Sequence, residues 1–251
     1  MRYVEAFPED LDLAWSRGAP AILSIGALEW HGSHLPLGVD CFLADSFAER
    51  LAQETEGVLL PLLVTPITTL PHRHSLEVPA EAFRLILDST LAGLYRSGAR
   101  TIALVTGHYA QGHEIELYEA ALRAMDDFED VRVFAATPLE ILCRDELLDH
   151  AGRWETAQML AIRGDLVRLN LPESLEPKQN GVLGPHPNLA SKVEGQRILH
   201  EALRTWIDWL NATDSELRAH YGRRFDAYQP YVDRFYDGSW ESAIQKWWAT
   251  K

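Results

Sequence analysis

Glu29, His31, His34 and Asp40 follow one another closely, directly after the apolar run A-I-L-S-I-G-A-L at 21–28. Carboxylates and imidazoles gathered in one place make the ligand set of a divalent metal or the partners of acid–base catalysis. A second apolar run, R-T-I-A-L-V-T at 100–106, ends in Gly107, His108 and Tyr109. A third group, D-H-A-G-R-W-E-T at 149–156, carries His150 and Glu155 about the start of a helical pattern. Gly152 between them puts His150 on the loop and Glu155 in the first turn. Taken singly, each residue reads better as a solvated loop charge or a packed imidazole than as a ligand. The set is what points to chemistry.

Those side chains need elements to bring them together. The 21–28 run has the length and β-branched content of a buried strand, and alternation would send Glu29 and His31 to the same side. Gly32, Pro36 and Gly38 let the chain turn back and deliver Asp40 to the same place. Further strands are predicted at 58–64, 100–106 and 131–136. Helices are predicted at 42–56, 80–95, 114–124, 139–148, 152–163 and 191–210. Alternating strands and helices give an α/β domain around a mainly parallel sheet, whose sites lie at the carboxyl ends of its strands. The composition shifts after about residue 211, where the chain becomes dense in Tyr, Phe and Trp. The division is therefore a domain over 1–210 and an aromatic extension over 211–251. The extension is expected to pack on the domain or on a neighbouring subunit, in preference to walling the active site.

With 251 residues the chain can bury one large core, and 47% hydrophobic with 24% charged residues is ordinary for a globular protein. The net charge of −14 argues against nucleic acid or an anionic membrane as partner. Cys41 and Cys143 match no metal spacing and no disulfide framework. Acids at Glu5, Glu9, Asp10 and Asp12 stand where a signal peptide would be basic and apolar, and no apolar run approaches membrane-spanning length. A cytoplasmic location is the expectation.

The segments G-A-L-E-W-H-G-S-H-L-P-L-G-V-D (26–40), T-G-H-Y (106–109) and D-H-A-G-R-W-E-T (149–156) resemble the creatininase (creatinine amidohydrolase) family, with a fainter echo in G-V-L-G-P-H-P-N-L-A-S-K-V-E-G at 181–195. The resemblance implies a three-layer α/β sandwich and a homo-oligomer, a hexamer by analogy. It implies two divalent ions, zinc or manganese with iron also in use, held by Glu29, His31, Asp40 and His108 with Asp40 bridging. His150 then looks like the proton-shuttling residue, Glu155 like the acid beside the metals and Tyr109 like a substrate contact. His74, in P-H-R-H-S, is a candidate for the substrate entrance, and His34 for orienting a ligand. Creatininase itself has a glutamate ligand two residues after the histidine matching His108, where this chain has Ala110. Glu155 is the candidate to complete that set, ahead of Glu114 or His113. Thr106 and Pro79-Ala80-Glu81 also depart from the family's usual residues, and both border the substrate region.

Physical chemistry supports the same site. Three carboxylates about 4 Å apart repel by roughly 4 kcal/mol per pair at an effective dielectric near 20. Gathering Glu29, Asp40 and Glu155 therefore demands cations or raised pKa values. Two divalent ions leave one positive charge, which favours hydroxide over water as the nucleophile on a small amide. Hydrolysis of a diketone, a formamide or a peptide at the same metals is the rival reaction. A relative that binds a small ligand without turnover is the rival class.

Overall fold

The computed structural model describes residues 1–251. In chain order its elements are α1 (Pro8–Ser16), β1 (Ala21–Gly26), α2 (Val39–Glu54), β2 (Val58–Leu59), β3 (Leu63–Val64), α3 (Ala80–Ser97), β4 (Thr101–Thr106), α4 (Gln111–Asp127), β5 (Arg132–Ala136), α5 (Arg153–Arg163), the single-turn α6 (Pro177–Asn180), α7 (Lys192–Trp209), α8 (Asp214–Phe235) and α9 (Trp240–Ala249). The strands pair in the order β2-β1-β4-β5, with β3 alongside the end of β1, and every pairing is parallel. A parallel sheet is covered on both faces, which explains why β1 and β4 read as continuous apolar runs. All of β1 is buried, as is β4 beyond its first residue. α2, α5 and α7 pack together on one side, and α3 with α4 on the other. The result is the three-layer α/β sandwich.

Several local expectations change. The strand expected at 58–64 is two short pieces, because Pro61 between them has no N–H for a sheet ladder. The helix expected at 139–148 is two 3-10 turns, Glu140–Leu142 and Asp145–Leu147. Cys143 between them adopts a left-handed φ of 52°, and Glu140 turns its carboxylate back to the Thr137 N–H and the Tyr118 hydroxyl instead of outward. The helix expected at 42–56 starts at Val39, so Asp40 lies in its first turn, where the helix dipole favours a negative charge.

The aromatic extension forms α8 and α9. Thr213 and Glu216 cap α8 reciprocally. Leu217 and Tyr221 then enter the main core. β5 is an edge strand, and the Tyr221 hydroxyl donates to Val133 O at 2.7 Å and accepts from Ala135 N at 2.9 Å. One side chain thereby satisfies backbone groups that the sheet leaves open. α9 packs back on α4 through a smaller cluster of Ile115, Tyr231, Trp240 and Ala243. No helix is long and apolar enough to cross a membrane.

Candidate metal centre

β1 ends at Gly26, so strand alternation does not position Glu29 and His31; the loop before α2 does. Glu29 N donates to Leu37 O at 2.9 Å, which closes that loop, and Trp30 N donates to Ser75 Oγ at 3.1 Å. The end of β4 passes so close to α2 that a Cβ on Gly107 would lie 2.1 Å from the Asp40 carbonyl oxygen. Only glycine allows that approach, and it sets His108 against Asp40. α5 supplies Glu155 from its first turn, where the buried Asp149 accepts from the backbone N–H groups of Trp154 (2.8 Å) and Glu155 (3.0 Å).

Glu29, His31, Asp40, His108 and Glu155 come together in the interior, each no more than 2% exposed. Asp40 is the hinge of the arrangement. Its Oδ1 lies 3.1 Å from His31 Nε2, which is also 3.5 Å from Glu155 Oε2. Its Oδ2 lies 3.3 Å from His108 Nδ1, which is also 3.1 Å from Glu29 Oε2. These are two three-residue sets sharing one carboxylate. A tetrahedral ion with bonds of about 2.1 Å holds its ligand atoms about 3.4 Å apart, which is the spacing found here.

The tautomers agree with this. His31 Nδ1 donates to Glu29 O (3.0 Å), His108 Nε2 to Ile67 O (2.9 Å) and His150 Nε2 to Trp30 O (2.9 Å). Each imidazole thus has one nitrogen tied to a backbone carbonyl and the other turned to the carboxylates. Glu29 Oε2, His31 Nε2 and both Asp40 oxygens are buried without a hydrogen-bond partner. Such atoms need an explanation, and a cation supplies one. Burial alone would raise the Glu29 and Asp40 pKa values, but His108 with His150, and His31 with His108, hold the two carboxyls below their usual range. Burial likewise opposes charge on His31 and His108, yet the facing acids push both imidazoles well above the ordinary histidine value. The cluster calls for positive charge, which a bound divalent cation would deliver while leaving the imidazoles neutral.

The remaining candidates fall in different places. His150 sits at the edge of the cluster, 15% exposed, with Nδ1 3.8 Å from Glu29 Oε2. The Tyr109 hydroxyl is buried without a partner. His34 hydrogen-bonds Thr156, next to Glu155, at 3.2 Å, and burial lowers its pKa to about 4. His74 is exposed, accepting from Arg73 and packed beside His72, and does not line the cavity over the centre. Ala110 offers no carboxylate at its position, and Glu155 stands with His31 and Asp40. Glu114 turns to Tyr118 and Arg224 instead, and His113 to Thr106.

A cavity of about 390 Å³ opens above Glu29, His108 and His150. Its walls include residues that sequence reasoning passed over. Thr68 and Leu70 come from the irregular stretch after β3, where only histidines stood out, and the Leu70 N–H donates to Glu29. Arg224, Tyr228, Ile244 and Trp247 come from the extension, so it reaches the cavity as well as packing on the domain. Its aromatic density was the one available signal.

The family model described as creatinine amidohydrolase (creatininase) matches residues 9–210. A creatinine amidohydrolase of Pseudomonas putida is 28% identical over 174 residues, 59% of this chain and 66% of that relative's length. The crystal structure of a creatinine amidohydrolase superposes with a TM-score of 0.72 at 20% identity, covering 86% of this chain and 97% of that one. A manganese form of creatininase gives 0.71 at 20% identity over 86% and 98%, and a zinc–zinc form of a variant gives 0.69 at 20% identity over the same shares.

Proposed function

This chain belongs to the creatininase family, and from that premise we propose that it is a dinuclear metal-dependent amidohydrolase cleaving a C–N bond of a small cyclic or linear amide. One observation carries the reading: the two oxygens of Asp40 face separate ligand sets, and neither receives a hydrogen bond. In this reading Glu29, Asp40 and His108 hold one divalent ion, and His31, Asp40 and Glu155 the other. Manganese and zinc in the creatininase structures support either metal. Bound there, such ions acidify water and polarise the carbonyl under attack.

The chain's own residues do the rest. Asp40 sets the spacing between the ions. The Leu70 N–H holds the other oxygen of Glu29, and the Ala151 N–H, at 2.5 Å, fixes Glu155 Oε2. His150 has its Nε2–H tied to Trp30 O, so its unprotonated Nδ1 is the atom that takes the proton of the attacking water and passes it to the leaving nitrogen. The unpaired Tyr109 hydroxyl orients the amide. The buried Leu70 and the half-buried Leu148 and Leu183 wall the cavity and limit bulk water at the reacting bond.

Elemental analysis with an amide-hydrolysis assay tests this. About two ions per chain are expected, with turnover lost to chelator and restored by zinc or manganese. Glu29→Gln and His108→Ala should each lower both metal content and turnover, the latter by about a hundredfold or more. Full occupancy and unchanged hydrolysis in both variants would overturn the reading.

A further inference from the structure

The floor and the roof of the cavity come from different parts of the chain. Glu29, His108 and His150, at the floor, lie inside the family-matched residues 9–210. Arg224, Ala227 and Tyr228 of α8 and Ile244 and Trp247 of α9, at the roof, lie outside them. We propose that this extension selects the substrate, and that Tyr228 and Trp247 are its specificity-determining residues, favouring an amide that bears a flat aromatic substituent. The inference rests on the amidohydrolase reading of the same cavity and names its substrate class.

Arg224 is the other obvious candidate in the roof, and its contacts argue against it as a substrate anchor. Its Nε lies 3.0 Å from Glu140 Oε1, and its Nη2 lies 3.4 Å from Glu114 Oε2 and donates to the Tyr228 hydroxyl. Both carboxyl groups are buried, and Glu140 in particular needs that charge. The Tyr228 hydroxyl in turn donates to Glu114. Arg224 and Glu114 are therefore positioning residues: they anchor the polar end of Tyr228, and with the guanidinium 4.8 Å over part of its ring the rest of the ring lines the cavity. A ring held at its hydroxyl offers flat contact area with little rotamer freedom to lose on binding.

Trp247 completes the wall from α9, with Ile244 below it and Tyr109 from the floor. Lys251 lies 4.7 Å over the Trp247 ring and covers part of it. Three aromatic rings around one cavity suit a planar guest by stacking or edge contact. A cavity of about 390 Å³ also falls in the range that takes drug-sized ligands, well beyond a lone five-membered lactam. Tyr228 and Trp247 border this cavity, and a flat apolar group on the amide would fill the surplus room beside them.

The test compares benzamide with acetamide on the zinc-loaded full-length chain. Binding is followed by calorimetry and turnover is measured separately, so failure of hydrolysis is distinguishable from failure of selection. Benzamide should bind at least about tenfold more tightly than acetamide. Trp247→Ala should cut that preference about tenfold at unchanged metal content. Ala227→Trp, which fills the roof instead of opening it, should exclude benzamide and keeps the test alive if Trp247→Ala does not fold. Preference for benzamide that disappears in either variant supports the inference even if neither amide is turned over. Equal binding of the two amides by the wild type, or a preference untouched in a folded variant, overturns it.

Discussion

Two clusters of buried carboxylates lie on either side of the substrate cavity, and they are neutralised in opposite ways. In one, Glu114 and Glu140 meet Arg224, the His220 imidazole and the Tyr118 hydroxyl. Burial raises the Glu114 carboxyl, and the Glu140 charge adds to it, reaching about 8; His220 and Arg224 hold Glu140 below its usual range against the same burial. One proton and one guanidinium therefore settle the charge inside the chain. In the other, Glu29, Asp40 and Glu155 have no lysine or arginine within ion-pair distance, and only imidazoles whose second nitrogens already serve backbone carbonyls. The difference separates a structural acid cluster from a metal site. Acids gather in both, but Glu140 Oε1, which also lacks a hydrogen bond, has the Arg224 guanidinium 3.0 Å away, whereas the unbonded oxygens of Glu29 and Asp40 face imidazoles alone.

Breaking the metal cluster at its shared ligand should have the largest effect. Asp40→Asn is expected to lose both ions and to lower turnover by roughly a thousandfold or more, read by elemental analysis and steady-state kinetics. Next comes the cation of the self-sufficient cluster. Arg224→Met leaves the buried Glu140 with only His220 and the Tyr118 hydroxyl beside it and should cost up to about 3–5 kcal/mol in urea unfolding. Glu29→Gln of the metal-free protein should cost far less, since it relieves the repulsion from Asp40 and lets the facing His108 give up its proton. Added zinc sharpens the contrast: at a hundredfold excess over Kd it should stabilise the wild type by about 2.7 kcal/mol and leave Asp40→Asn unmoved.

The smallest effect is on pH dependence. The folded Glu114 pKa is raised from the ordinary 4.5 to about 8, so between those values the native chain holds a proton that the unfolded chain has released. Stability contributed by this group therefore falls as pH rises through that window, by at most about 1.4 kcal/mol per pH unit. Glu114→Gln should flatten this slope in urea titrations. An unchanged slope would mean that Glu114 is ionised and that Arg224 balances both acids.

Much of this was legible along the chain. The apolar runs marked β1 and β4, because strands buried on both faces need apolar residues throughout. The residues just beyond those runs marked Glu29, His31, Asp40 and His108, because parallel sheets present their carboxyl ends to a site. Boundaries moved where a local contact outranked the pattern. Pro61 divided a strand, and the inward turn of Glu140 replaced a helix with two short turns. His74 carried the right chemistry for an entrance residue, but its loop leaves it on the surface. The tail's aromatics announced contact area and left its location open.

By itself, the order of residues determined an α/β domain, its mainly parallel sheet and the ligand types, since these follow from periodicity and from what carboxylates and imidazoles do. Only the tertiary structure decided which nitrogen of each histidine is turned inward, that both oxygens of Asp40 lack donors, and that α8 and α9 close over the cavity. Those outcomes depend on atoms remote in sequence: a Trp30 carbonyl against His150, an Asp40 carbonyl against Gly107, a Glu114 carboxylate against Tyr228. Spacing along a chain records which groups are available. Packing alone sets which of them are left without a partner, and an unpartnered buried oxygen is what makes room for an ion.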